Sequence, residues 1–135
     1  MITVFREIAL RQIVTQQSKD ISLRQLHDQL TKHMEEIDNF EEEKNKLLAG
    51  FALRGGEGAD VENLRKRLDE ESRRLFQGKD EIMRQINAVR ELREGEEIDA
   101  GSVEGPVEIK AGDDFTALAR AQIVLRDGVV VDIRN

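Results

Sequence analysis

The chain has no cysteine, tryptophan or tyrosine, a single proline, and five aromatic residues among 135, all phenylalanine. The missing thiols exclude a disulfide scaffold, an iron–sulfur centre and any thiolate zinc site, and they fit a reducing compartment. Without Trp or Tyr there is little to stack on nucleic-acid bases. Arg6, Glu7 and Arg11 interrupt the N-terminal stretch before the roughly 7–15 apolar residues that a signal-peptide core needs, and no later run approaches the ~18–20 of a membrane span. A cytoplasmic location and no membrane association are therefore expected.

What is abundant is charge and helix-forming composition. The chain carries 28 acids and 21 bases for a formal charge of -7, and Ala, Glu, Lys, Leu and Arg supply 61 of the 135 residues. That set dominates long helices and coiled coils. The charge is uneven: residues 1–17 sum to +1, 18–48 to -3, 49–58 to 0, 59–94 to 0 and 95–135 to -5.

Ile2, Val4, Ile8, Leu10 and Val14 share one parity, interrupted by Arg6 and Gln12, which predicts a strand over 1–14. Thr15 or Ser18 can then cap a helix. Leu23, Leu26, Leu30, His33, Ile37, Phe40, Lys44 and Leu47 follow at spacings of three and four, the a/d seam of a heptad, with His33 and Lys44 as its polar members. Gly50 is expected to end this helix, and a Gly-rich turn at 50–58 to reverse the chain. Asp60 is a candidate cap for a second helix, in which Val61, Leu68, Leu75, Ile82 and Val89 recur every seven residues. The matching d positions are Leu64, Glu71, Gly78, Gln85 and Leu92, apolar only at the ends. Either the apolar stripe drifts around a straight helix, by about 20° per heptad, or the seam has a functional gap. Phe76, Met83 and Ile86 lie beside the seam and would carry the drifting stripe.

Past residue 95 the material changes to short apolar runs punctuated by glycine. Asp127-Gly128, between Ile123–Arg126 and Val129–Ile133, is a two-residue hairpin signal, because both central positions of a type I′ turn need positive φ. Asp113 or Asp114 can cap a short helical turn through Phe115 and Leu118. The 41 or so residues of 95–135 make a marginal domain alone, so they are expected to share a sheet with the N-terminal strand. The predicted fold is α+β: a long antiparallel, coiled-coil-like helical hairpin over 15–94, inserted into a small antiparallel β module made of 1–14 and 95–135.

In this setting the residues Ile13-Val14-Thr15 leading into a long helix, then Val107-Glu108-Ile109-Lys110-Ala111-Gly112-Asp113-Asp114-Phe115 and Ile123–Ile133, resemble the YlqD family of small bacterial proteins. The resemblance implies an intracellular bacterial protein of a family without an established activity, and it carries over no catalytic residues.

Chemistry-bearing constellations are sparse. His27 and His33 stand about 240° apart around a helix and cannot share a face as a zinc-binding i, i+4 pair does. Ser18, Ser22, Ser72 and Ser102 lie in no nucleophile elbow. Gly55-Gly56-Glu57-Gly58 precedes a helix but lacks a GxxxxGK[ST] run and follows a helix rather than a strand, so it reads as a turn. No catalytic residue, metal, cofactor or small-molecule substrate is predicted. The expected role is a non-enzymatic interaction or scaffold protein with a protein partner or a second copy of itself, a homo-oligomer. Phe51 and Leu53 at the hairpin tip and Phe76, Met83 and Ile86 on the second helix are the candidate contact residues; Phe51 could instead fold over the hairpin end as the next a position. The alternative is an RNA- or ribosome-associated factor using Arg65, Lys66, Arg67, Arg73 and Arg74, although these bases alternate with acids in the manner of a salt-bridged exposed face.

Overall fold

The computed structural model describes residues 1–55 and 58–135; Gly56 and Glu57, within the expected reversal, lie outside the described residues. The elements run β1 (Ile2–Ile13), α1 (Gln16–Leu53), α2 (Ala59–Glu91), β2 (Glu97–Ile109), α3 (Phe115–Leu118), β3 (Gln122–Arg126) and β4 (Val129–Arg134). They fall into two compact units, Met1–Ile21 with Glu91–Asn135, and Ser22–Arg90. The fold is α+β, with the helical segment inserted in sequence between the two parts of the sheet unit.

The sheet has strand order β2-β1-β3-β4. β1 pairs antiparallel with β2, from Ile2 opposite Ile109 to Ile13 opposite Glu97, and β3 pairs antiparallel with β4. The β1–β3 ladder, Ala9–Gln12 against Gln122–Leu125, is parallel, so the sheet is mixed and not wholly antiparallel as expected. The reason is the crossover: residues 110–121, including α3, carry the chain past β1, and β3 enters on its far side. Between Ala9 and Arg11 the β1–β2 register shifts, with the extra residue on β2, where Gly101 adopts φ +95°; a left-handed glycine is what such a bulge accommodates.

Val14, Ala121 and Val124 form the buried centre of this unit. Its turns follow their local chemistry. Asp127 and Gly128 take φ of 50° and 81°, the left-handed pair that a type I′ hairpin requires. Of the two candidate caps, Asp114 caps α3, its carboxylate accepting from the Thr116 N–H at 3.0 Å. Thr15 caps α1 through a reciprocal pair: its Oγ1 accepts from Ser18 N–H (3.0 Å), while Ser18 Oγ accepts from Thr15 N–H (2.9 Å).

In the second unit α1 does not stop at Gly50. It continues to Leu53 and closes at Gly55, whose N–H bonds Ala52 O and whose φ is +76°. A helical glycine costs only about 1 kcal/mol relative to Ala, so it does not terminate a helix that packing sustains. Nor does Asp60 cap α2: Gly58 O already accepts from Glu62 N–H, placing Asp60 inside the first turn, where its charge suits the positive end of the helix.

Candidate contact surface

The seam between α1 and α2 is built from half-buried leucines around Ile37 (6% exposed) and Ile86 (4%). Contacts from Lys44–Asp69 through Glu41–Ser72 to His33–Leu75 show the two helices running antiparallel. Ile86 is therefore core, not contact surface. It takes the inward position that Gln85 would hold in a strict heptad, because a helix of 3.6 residues per turn slips against a seven-residue repeat. The same slip puts Leu47 outside and brings Leu48 and Phe51 to half-buried positions.

Of the polar d positions Glu71, Gly78 and Gln85, Gly78 is met from across the seam, whereas Glu71 pairs with Arg74 and Gln85 bonds Glu81 within α2. The His33 ring lies against Gly78, where a Cβ would meet His33 Cε1 and Nε2 at 2.8 Å. Its Nε2 is 2.6 Å from Leu75 O; a carbonyl only accepts, so Nε2 carries the proton. One turn on, Ser72, buried, donates to Glu41 Oε1 at 2.5 Å. Next, Lys44 Nζ meets Asp69 Oδ1 at 2.9 Å, and hydrogen bonding to that carboxylate holds the Lys44 ammonium above its usual pKa. His33 and Gly78 are partners that sequence reasoning placed on separate helices without joining; the signal was a large polar seam residue on one helix and a glycine on the other.

Outside the seam, Phe76 (46% exposed) and Met83 (45%) stand seven residues apart on α2, so they share one outer face. Met34 on α1 is exposed as well. At the end of α1, Leu53 is 89% exposed, whereas Phe51 is half-buried beside Leu47 and Leu64. Thus Leu53, Phe76 and Met83 are open to a partner, Phe51 partly so, and Ile86 is not.

The expected salt-bridge blocks on α2 are only partly formed. Arg74 pairs with Glu71 at 3.3 Å and Arg84 with Glu81 at 2.8 Å. Arg65, Lys66, Arg67 and Arg73 are exposed and, among the described residues, make no ion pair. Lys66 and Arg73, like Arg67 and Arg74, lie seven apart and form two rows, with Glu70 and Glu71 between their members.

The sheet unit has its own polar cluster. Arg134 grips Glu97 with two bonds of 2.8 Å, and Arg11 lies 3.9 Å from the same carboxylate. The hydrogen bonds from Arg134, then its charge and that of Arg11, hold Glu97 below the usual carboxylate range against partial burial. A carboxylate with a depressed pKa stabilises above its unfolded pKa and loses that contribution as pH falls through the folded value. Arg134→Gln is accordingly expected to lower the melting temperature at pH 7 and to lose that deficit progressively as the pH falls below the usual carboxylate range, measured by circular dichroism; a constant deficit would show that the pair contributes nothing electrostatic.

Among the described residues, no group of three or more His, Asp or Glu side chains could hold a metal ion, and no helix is long and apolar enough to cross a membrane. His27 is exposed on α1, apart from the seam occupied by His33.

The whole architecture recurs elsewhere. A crystal structure of a protein of unknown function from Synechococcus sp. WH 8102 superposes with a TM-score of 0.73 at 24% identity, covering 99% of this chain and 95% of that one, a likeness of fold. No curated protein matches the chain. The model of the YlqD family, described as YlqD protein, matches residues 2–134, strand, hairpin and returning strands together, and on that match the chain belongs to the YlqD family.

Proposed function

We propose that this is a non-enzymatic interaction protein whose helical hairpin supplies the contact surface, with a second copy of the chain as its first partner. The observation that carries the reading is the pair Phe76 and Met83, nearly half exposed on the flank of a helix whose seam face is already filled. Two large apolar side chains at helical spacing are what a second hairpin buries when two hairpins form a four-helix bundle. Ile86, being core, takes no part. Phe76→Ser with Met83→Ser is expected to reduce the apparent mass in light scattering toward that of a monomer of 15.4 kDa. A wild-type chain that stays monomeric at high concentration overturns the self-association reading.

The four unpaired bases favour one second reading, an RNA- or ribosome-associated factor. Phosphate contacts release counterions, so such binding weakens steeply with salt. Replacing Arg65, Lys66 and Arg67 by Gln would then flatten the salt dependence and release co-purifying RNA. Absence of RNA or ribosomes from the low-salt preparation removes this reading.

A further inference from the structure

We infer that the open edge of β1 is a docking groove for an extended peptide of a partner protein, which adds to the sheet as a strand in line with β3. This goes beyond the hairpin reading and does not depend on it.

β1 has twelve residues, but β3 pairs only with Ala9–Gln12. Over Ile2–Ile8, β1 has β2 on one side only. Which backbone groups face the open side follows from one bond: Ala9 N–H donates to Ala121 O, toward β3. From Ile2 to Ala9 the register is regular, so the N–H and C=O of Thr3, Phe5 and Glu7 point the same way. Pro106 agrees with this phase. It lies opposite Phe5, in a pair that exchanges no ladder bonds, the position at which a strand can lack an N–H without loss. Three donors and three acceptors thus stand at strand spacing, and no other backbone group among the described residues pairs with them.

That edge is walled. A cleft of about 580 Å³ is lined by residues 4–7 and 9 of β1, by Asp99, Gly101 and Ser102 of β2, and by Phe115, Leu118 and Ala119 of α3 and its end, so it covers the face that β1 shares with β2 and runs up to the open edge. Phe5 and Phe115 are 75% and 69% exposed there, an unusual use of two of only five aromatics. An open strand edge beside a helix is the arrangement in which main-chain bonds supply affinity and flanking side chains select sequence. The charge selects too. Glu7 and Asp99 line the cleft against one base, Arg6, and Glu104 stands directly opposite Glu7, whose carboxylate already accepts from Ser102 Oγ at 2.6 Å; the balance of charge is acidic, and a like-charge pair across the ladder is relieved by a nearby cation. The occupant is therefore an extended, net-basic segment carrying an apolar residue against Phe5 and Phe115.

The test uses the full-length 15N-labelled chain and a pool of capped octapeptides with Val, Ile, Leu or Phe at alternate positions and Lys, Arg or Thr between them. Binding peptides are expected to slow amide exchange at Thr3, Phe5 and Glu7, and N-methylating two alternate peptide amides is expected to weaken binding about thirtyfold, the worth of two ladder bonds. Phe5→Pro removes one edge donor without touching the β1–β2 ladder; it should abolish the protection at Thr3 and Glu7 while β3 and β4 amides stay protected. The inference is overturned by no binding at millimolar peptide, by equal binding of N-methylated peptides, by equal binding of a pool with Asp and Glu in place of Lys and Arg, or by protection at the outer edge of β4 instead. Concentration-dependent protection of the three amides without peptide also overturns it, because the edge then belongs to a second copy.

Discussion

Replacing Ile86 by alanine is expected to lower stability by about 2–4 kcal/mol, read from urea denaturation followed by the helical signal at 222 nm. Among the described residues of the hairpin unit, Ile86 and Ile37 are the two buried large apolar side chains; the other apolar seam residues are half-buried or more exposed. Truncation removes the transfer free energy of three carbons and leaves a cavity between two helices that cannot close without shifting register. Since a domain's whole stability is about 5–15 kcal/mol, the loss should move the midpoint visibly. Phe76→Ala, on the same helix but outside the seam, should cost a monomer far less. If the two substitutions cost the same, Ile86 is not the core residue its burial indicates.

The second large effect reverses sign with its neighbour. Alanine is better than glycine in a helix interior by about 0.8–1.0 kcal/mol, so Gly78→Ala would ordinarily stabilise α2. Here the new methyl meets the His33 ring at 2.8 Å, and moving the ring breaks its bond to Leu75 O. That bond is worth about 1 kcal/mol and the clash adds to its loss, so Gly78→Ala should destabilise by about 1–2 kcal/mol. In a His33→Ala background the same substitution should stabilise. The double-mutant cycle measures the coupling directly; additive effects would mean that the ring and the glycine are not mated.

These two residues show what the sequence could and could not reveal. Period and turn chemistry made the hairpin, the Asp127-Gly128 turn and the Asp114 cap legible, because each depends on residues a few positions apart. The mating of His33 with Gly78 depends on a register set over 45 positions, which no local pattern encodes. The exposure of Leu47 and the burial of Ile86 come from slippage of a real helix against an ideal seven-residue repeat. The parallel β1–β3 ladder was illegible because strand order is settled by where the crossover lands, and the β1 overhang followed from it. For the candidate contact residues, the sequence marked the apolar positions beside the seam, but only packing separated Phe76 and Met83 from Ile86.

The proposed role rests on Phe76 and Met83 serving contact and not the stability of a single hairpin. A partner copy that binds only the folded state raises its melting temperature with concentration. Melting curves across a wide concentration range, for the wild-type chain and for the Phe76→Ser, Met83→Ser variant, test this directly. The melting temperature should climb with wild-type concentration, while the variant gives a flat line that meets the wild-type value at the dilute limit. A flat wild-type line, or a variant that climbs equally, contradicts the proposed role.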